Sequence, residues 1–189
     1  MGFLDAILGR SKQAQPNLDA LFSLPTATLT LEVSAEIRPT GIGAVCFRDM
    51  EGGAFARLKS EITQLLGGSE PEEVRDGYGY TWLVVRGEPS DVPGLVTNLH
   101  AVNSTLENAG FGPSLLCSTV GFRTAGGQPL ALVYLYKRGT FYPFAPVAGE
   151  AQRRDNALEL QVKAQIDNDL KIESELSRWF PVWGAPGLT

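Results

Sequence analysis

The sequence predicts an α+β domain: a mostly antiparallel, twisted sheet with helices packed on it. Three observations carry that prediction. Strand-like segments follow one another across short Gly- and Pro-containing turns, which favours hairpin-linked, antiparallel neighbours over crossovers. Five segments show apolar residues at helical spacing, each with a recognisable start or stop signal. Hydrophobic residues make up 43% of 189 residues, enough for one core of domain size.

The elements follow in order. Phe3, Leu4, Ile7 and Leu8 fall on one face of a 3.6-residue repeat, with Asp5 off that face and Gly9, Arg10 and Lys12 closing the segment. Residues 1–12 are therefore an amphipathic helix, set apart by the polar spacer 11–15 from a single α+β domain over 13–189. Residues 16–24 resemble a short helix with Leu18, Leu21 and Phe22, stopped by Pro25. Leu29, Leu31 and Val33 alternate with polar residues, so 26–33 reads as a half-buried strand. Residues 38–41 form a turn (Arg38-Pro39-Thr40-Gly41), and 42–48 is the second strand of that hairpin. Phe55, Leu58, Ile62, Leu65 and Leu66 mark a helix ended by Gly67 and Gly68.

Residues 69–76 read as an acidic loop and 78–86 as a strong strand. Asp91 caps a helix with Pro93 in its first turn, and Val92, Leu95, Val96, Leu99, Val102 and Leu106 form its buried stripe up to Gly110. Strands over 114–122 and 130–137 are joined by the turn 124–127, and a short Pro-punctuated extension covers 141–146. Asp155 caps the last helix, which carries Leu158, Val162, Ile166 and Leu170 at a spacing of four. An irregular aromatic tail ends the chain.

Composition excludes several functions. The net charge is −5, and no basic patch with interleaved aromatics occurs, so nucleic acid is not an expected partner. The start lacks a signal peptide's basic region and cleavage site, Ala6 stands where a myristoylation motif needs Ser or Thr, and no apolar run reaches about 20 residues. The expectation is a cytoplasmic protein, with an optional contact at the inner face of the cell membrane. Arg10 and Lys12 would add only about 1 kcal/mol each toward anionic lipid. Cys46 and Cys117 sit in apolar runs and read as buried thiols, open to a mutual disulfide only if their strands are neighbours. No cofactor or metal is expected, because no carboxylate, His or Cys cluster has ligand spacing. The only histidine, His100, lies on a helix near Asn103 and Ser104 and reads as structural. No nucleophile elbow or phosphate-binding loop is present, so no catalytic residue is assigned.

Two aromatic stretches remain. Lys137, Arg138, Phe141, Tyr142 and Phe144 form one, and Trp179, Phe180 and Trp183 the other. They read either as core packing or as an aromatic and basic protein-binding face, since such residues anchor interfaces. Phe3, Leu4, Ile7 and Leu8 are the matching candidates for a membrane or partner surface.

Several strings carry a resemblance. They are Met-Gly-Phe-Leu-Asp-Ala-Ile-Leu-Gly-Arg at 1–10, Pro16-Asn17-Leu18-Asp19-Ala20-Leu21-Phe22, Tyr78-Gly79-Tyr80-Thr81-Trp82-Leu83-Val84-Val85, Lys137-Arg138-Gly139-Thr140-Phe141-Tyr142-Pro143-Phe144, Arg154-Asp155-Asn156 and Arg178-Trp179-Phe180-Pro181-Val182-Trp183-Gly184. Together they resemble PspAB, the PspA-associated protein B family of bacterial phage-shock envelope-stress systems. The resemblance implies a neighbour of PspA, a membrane-remodelling coiled-coil protein, and it brings no catalytic residues. The order of elements is also similar to type III secretion chaperone-like domains, which often dimerise and bind peptide segments.

Two functions are then in competition. One is a non-enzymatic adaptor that binds PspA or another envelope-stress protein, with a peripheral membrane contact or a homodimer as further associations. The other is a small-molecule-binding domain or unrecognised enzyme with a pocket lined by Tyr80, Trp82, Tyr134 or Tyr136 and edged by His100 or Cys117.

Overall fold

A computed structural model describes residues 15–48 and 53–188. The expected helix over 1–12 lies outside the described residues. The fold is α+β, as expected, with one six-stranded antiparallel sheet and four α-helices. The strands are β1 (Arg38–Arg48), β2 (Glu72–Arg75), β3 (Tyr80–Arg86), β4 (Leu115–Arg123), β5 (Pro129–Leu135) and β6 (Thr140–Phe144), in the spatial order β2-β3-β1-β4-β5-β6. The helices are α1 (Leu24–Ala35), α2 (Gly53–Leu65), α3 (Val92–Leu106) and α4 (Asn156–Ile166). No helix among the described residues is long and apolar enough to cross a membrane.

The strand period of two divides the sheet's side chains between two apolar layers. Val45, Phe47, Leu83, Val85, Val120, Phe122, Leu132 and Tyr134 point to one face, where α1, α3 and α4 bury Leu31, Leu99 and Val162 against them. Ala44, Cys46, Trp82, Val84, Cys117, Val133, Tyr142 and Phe144 point to the other face. Among the described residues no helix covers that side. The C-terminal tail does, through Trp179, Ala185 and Leu188, with Val182 and Trp183 packed at the margin.

α3 forms as its sequence dictates. Asp91 accepts a hydrogen bond from Gly94 N at 2.9 Å, Pro93 sits in the first turn, and the expected apolar stripe is buried. Asp155 caps α4 in the same way through Leu158 N at 3.0 Å. Gly67 and Gly68, both at positive φ, follow α2.

Three expectations are corrected. Residues 26–33 belong to helix α1, and no first hairpin exists. Pro25 starts that helix, since proline suits a first turn where its missing N–H costs nothing. The buried set Leu24, Ala27, Thr28 and Leu31 has helical spacing, while Leu29 and Val33 are 61% and 80% exposed. The acidic loop contains β2, an edge strand whose Glu72, Glu73 and Arg75 side chains suit a solvent-facing border. The turn at 38–41 is the bent beginning of β1. Pairing with β4 slips between Pro39 and Gly43, and Gly41 there has φ +75°.

Candidate functional site

The tail is fastened by two buried carboxylates. Glu173 is 1% exposed and accepts hydrogen bonds from Arg138, Thr140 Oγ1 and Glu175 N. Its own backbone N–H donates to Phe141 O at 2.8 Å, and its carbonyl accepts from Trp179 Nε1 at 2.9 Å. Burial pushes the Glu173 carboxyl up, but Arg138 and the other donors outweigh it and hold the group below the usual carboxylate range. Glu159, 2% exposed, accepts Nε and Nη2 of Arg154 at 2.9 and 3.0 Å and the backbone N–H of Ala145 at 2.9 Å. Arg154 also donates to Trp179 O at 2.6 Å and lies 5.0 Å over the Phe144 ring. A six-residue register therefore sets Trp179 against Tyr142, with ring centroids 5.9 Å apart, and Tyr142 Oη donates to Phe180 O at 2.7 Å.

Beyond Trp179 the tail does not close completely over the sheet. A cleft of about 590 Å³ remains between it and the β3–β1–β4 surface. Its apolar walls are Tyr80, Trp82, Leu116, Leu135, Tyr142, Phe180, Val182 and Trp183, with Arg48, Asp76 and Gln152 at its border. The polar groups there serve one another. Asp76 accepts from Tyr78 N and Tyr80 N, each at 2.9 Å, and from Trp82 Nε1 at 3.0 Å. The Asp76-Gly77-Tyr78-Gly79 string is the sequence signal for this side-chain-closed turn, and an acidic-loop reading overlooks it.

Cys46 and Cys117 also line the cleft. β1 and β4 are neighbours, and the two cysteines are directly opposed in their register. Both are free and buried. Hydrogen bonding with Cys117 and burial push the Cys46 thiol far up, so Cys46 stays a protonated thiol at neutral pH.

The aromatic residues divide sharply. Phe141, Tyr142, Phe144 and Trp179 are core residues at 5% exposure or less, which corrects their reading as a protein-binding face. Arg138 is committed to Glu173. Lys137 and Phe180 are exposed and Arg138 and Trp183 are half-buried, so these four of the eight candidates present surface. Of the pocket residues expected from sequence, Tyr80, Trp82 and Cys117 do meet in the cleft. Tyr134 points to the helical face, and Tyr136 borders a separate shallow hollow with Pro16, Glu107 and Lys137.

His100 lies in neither cavity. Its Nε2 is 3.2 Å from Asp19 Oδ1, its Nδ1 is 3.3 Å from Ser104 Oγ, and its ring packs 4.8 Å from Phe22. An Asp-His-Ser chain has the elements of a nucleophile relay, but Ser104 sits inside α3, where backbone N–H groups are spent on helix bonds and cannot stabilise an oxyanion. The arrangement ties α3 to the 3₁₀ turn Leu18–Ser23. Among the described residues no group of three or more His, Cys, Asp or Glu could hold a metal ion.

A family described as PspA associated protein B matches residues 1–187 of the chain. No curated protein and no solved structure matches it, so the comparison with type III secretion chaperone-like domains gains no structural support.

Proposed function

The chain belongs to the PspA-associated protein B family, and from that membership we propose that it is a non-enzymatic adaptor of a phage-shock-type envelope-stress system, binding PspA or a related membrane-stress component. The observation that best supports this reading is the outer face of α1. Thr26, Leu29 and Val33 are all exposed there and follow a 3–4 spacing, with Phe22, 49% exposed, four residues before Thr26. That is the seam a helix offers to a coiled coil, and a coiled-coil protein is the partner the resemblance implies. Lys137, Phe180 and Trp183 are further candidates for contact, and Phe3, Leu4, Ile7 and Leu8 would engage the inner membrane surface.

Two experiments test this reading. The double variant Leu29→Glu/Val33→Glu should keep its thermal melt, because both positions are exposed, and should lose co-purification with the PspA-like partner. Undiminished co-purification would sink the α1 seam. Deleting residues 1–12 should abolish co-sedimentation with anionic vesicles; sedimentation unchanged by the deletion would remove the membrane role.

A further inference from the structure

We propose that the aromatic cleft beneath the tail is the resting seat of this chain's own N-terminal segment, receiving Phe3, Leu4, Ile7 and Leu8. The chemistry of the cleft comes first. Trp82, Leu116, Tyr142, Val182 and Trp183 give it apolar walls, and two of its polar groups are already paired: Asp76 holds three donors and Tyr142 Oη is bonded to Phe180 O. Such a site rewards hydrocarbon and aromatic side chains and offers a polar metabolite little. At its border Tyr78 and Phe180 are 57% and 58% exposed, apolar surface that an occupant would cover.

Reach comes second. The Gln15 carbonyl oxygen lies so close to Gly139 that a Cβ there would sit 2.8 Å from it. Gly139 N donates to Leu135 O, and Leu135 is a wall of the cleft. The chain thus joins the described fold at the end of the β5–β6 hairpin, where Asn17 N donates to Tyr134 Oη on the helical face at 3.2 Å, and the segment reaches the seat by passing round that end of the sheet. Ten residues as a helix measure about 15 Å, and the four residues 11–14 extend up to about 14 Å. Charge agrees as well: Arg48 borders the cleft, and Asp5 flanks the apolar face of the segment. The hollow lined by Pro16, Glu107 and Lys137 is nearer to the chain start but shallow and open, with no wall to receive four apolar side chains.

The seat would hold the segment until membrane or partner takes it. This extends the adaptor reading in one respect only, in treating residues 1–12 as a detachable amphipathic helix. If the seat is filled nine-tenths of the time, apparent affinity for vesicles falls about tenfold.

The test uses the full chain, first without lipid. Benzoylphenylalanine in place of Leu8 should cross-link, within one molecule, to residues lining the cleft, identified by mass spectrometry. The indole N–H signals of Trp82 and Trp183 should shift in Ile7→Asp/Leu8→Asp, while that of Trp179, bonded to Glu173 O, stays in place. Leu116→Glu, which places in the seat a charge that anionic lipid repels, should still bind anionic vesicles about tenfold more tightly than the parent. Cross-links mapping elsewhere or between two copies, or indole signals indifferent to the Asp substitutions, would overturn the seat. Neither result bears on recruitment, which loss of vesicle binding on deletion of 1–12 reports separately.

Discussion

Glu173 concentrates more of the fold in one side chain than any other residue described above. It joins Arg138 on the β5–β6 turn, Thr140 at the start of β6, and through its backbone the Phe141 and Trp179 positions. Glu173→Gln should cost about 2 kcal/mol in urea denaturation at neutral pH, the worth of hydrogen bonds to a charged group at a partly solvated partner. The pH dependence follows from the sign of its shift. A carboxyl held below its unfolded value contributes stability that is complete above the unfolded pKa, near 4, and is lost as pH falls through the folded one. The parent should therefore lose stability below about pH 4, and Glu173→Gln should flatten that limb; an unchanged acid limb would assign it to other carboxylates. The thiol pair makes the opposite kind of statement. With Cys46 pushed up by Cys117 and by burial, its thiol should resist alkylation at neutral pH and react only once denaturant opens the sheet.

Among the elements, β1 is the one whose bend depends on a single backbone conformation. Gly41 has φ +75°, and an added Cβ would stand 2.2 Å from Gly87 O, against backbone that cannot turn aside. Gly67 has nearly the same φ, +70°, with nothing within 4 Å of that Cβ. Gly67→Ala should cost about 1 kcal/mol, the strain of a left-handed residue alone, and Gly41→Ala clearly more, read as the difference in denaturation midpoints. Legibility in the sequence follows the same physics. α3 and α4 were readable because cap, proline and stripe all agree locally. α1 was not, because its inner face uses the small or polar Ala27 and Thr28 while Leu29 and Val33 look outward, so hydrophobic periodicity pointed to a strand. β2 was hidden because an edge strand of charged residues has the composition of a loop. In the cleft, Tyr80, Trp82 and Cys117 are among the residues the sequence suggests for a pocket, and Asp76 has a local turn signal, whereas Val182 and Cys46 depend on tertiary pairing that no local pattern encodes.

At the scale of the molecule, one sheet carries two cores of different origin: helices build one, and the last stretch of the chain builds the other. A protein ending at Glu175 would lose Trp179, Val182, Trp183, Ala185 and Leu188 and uncover the apolar face that carries Cys46, Trp82 and Tyr142. It should bind a hydrophobic dye and precipitate on warming, while deletion of residues 1–12 should leave the melt little changed. The position of that second layer also sets an order of events during synthesis. Translation makes the strands and helices before the tail, so the helical side of the sheet can begin to assemble while the other side still lacks its cover. The cleft accordingly comes into being after the segment proposed to fill it has been made. A growing molecule would carry that segment unmasked, so recruitment through it precedes the means of restraining it.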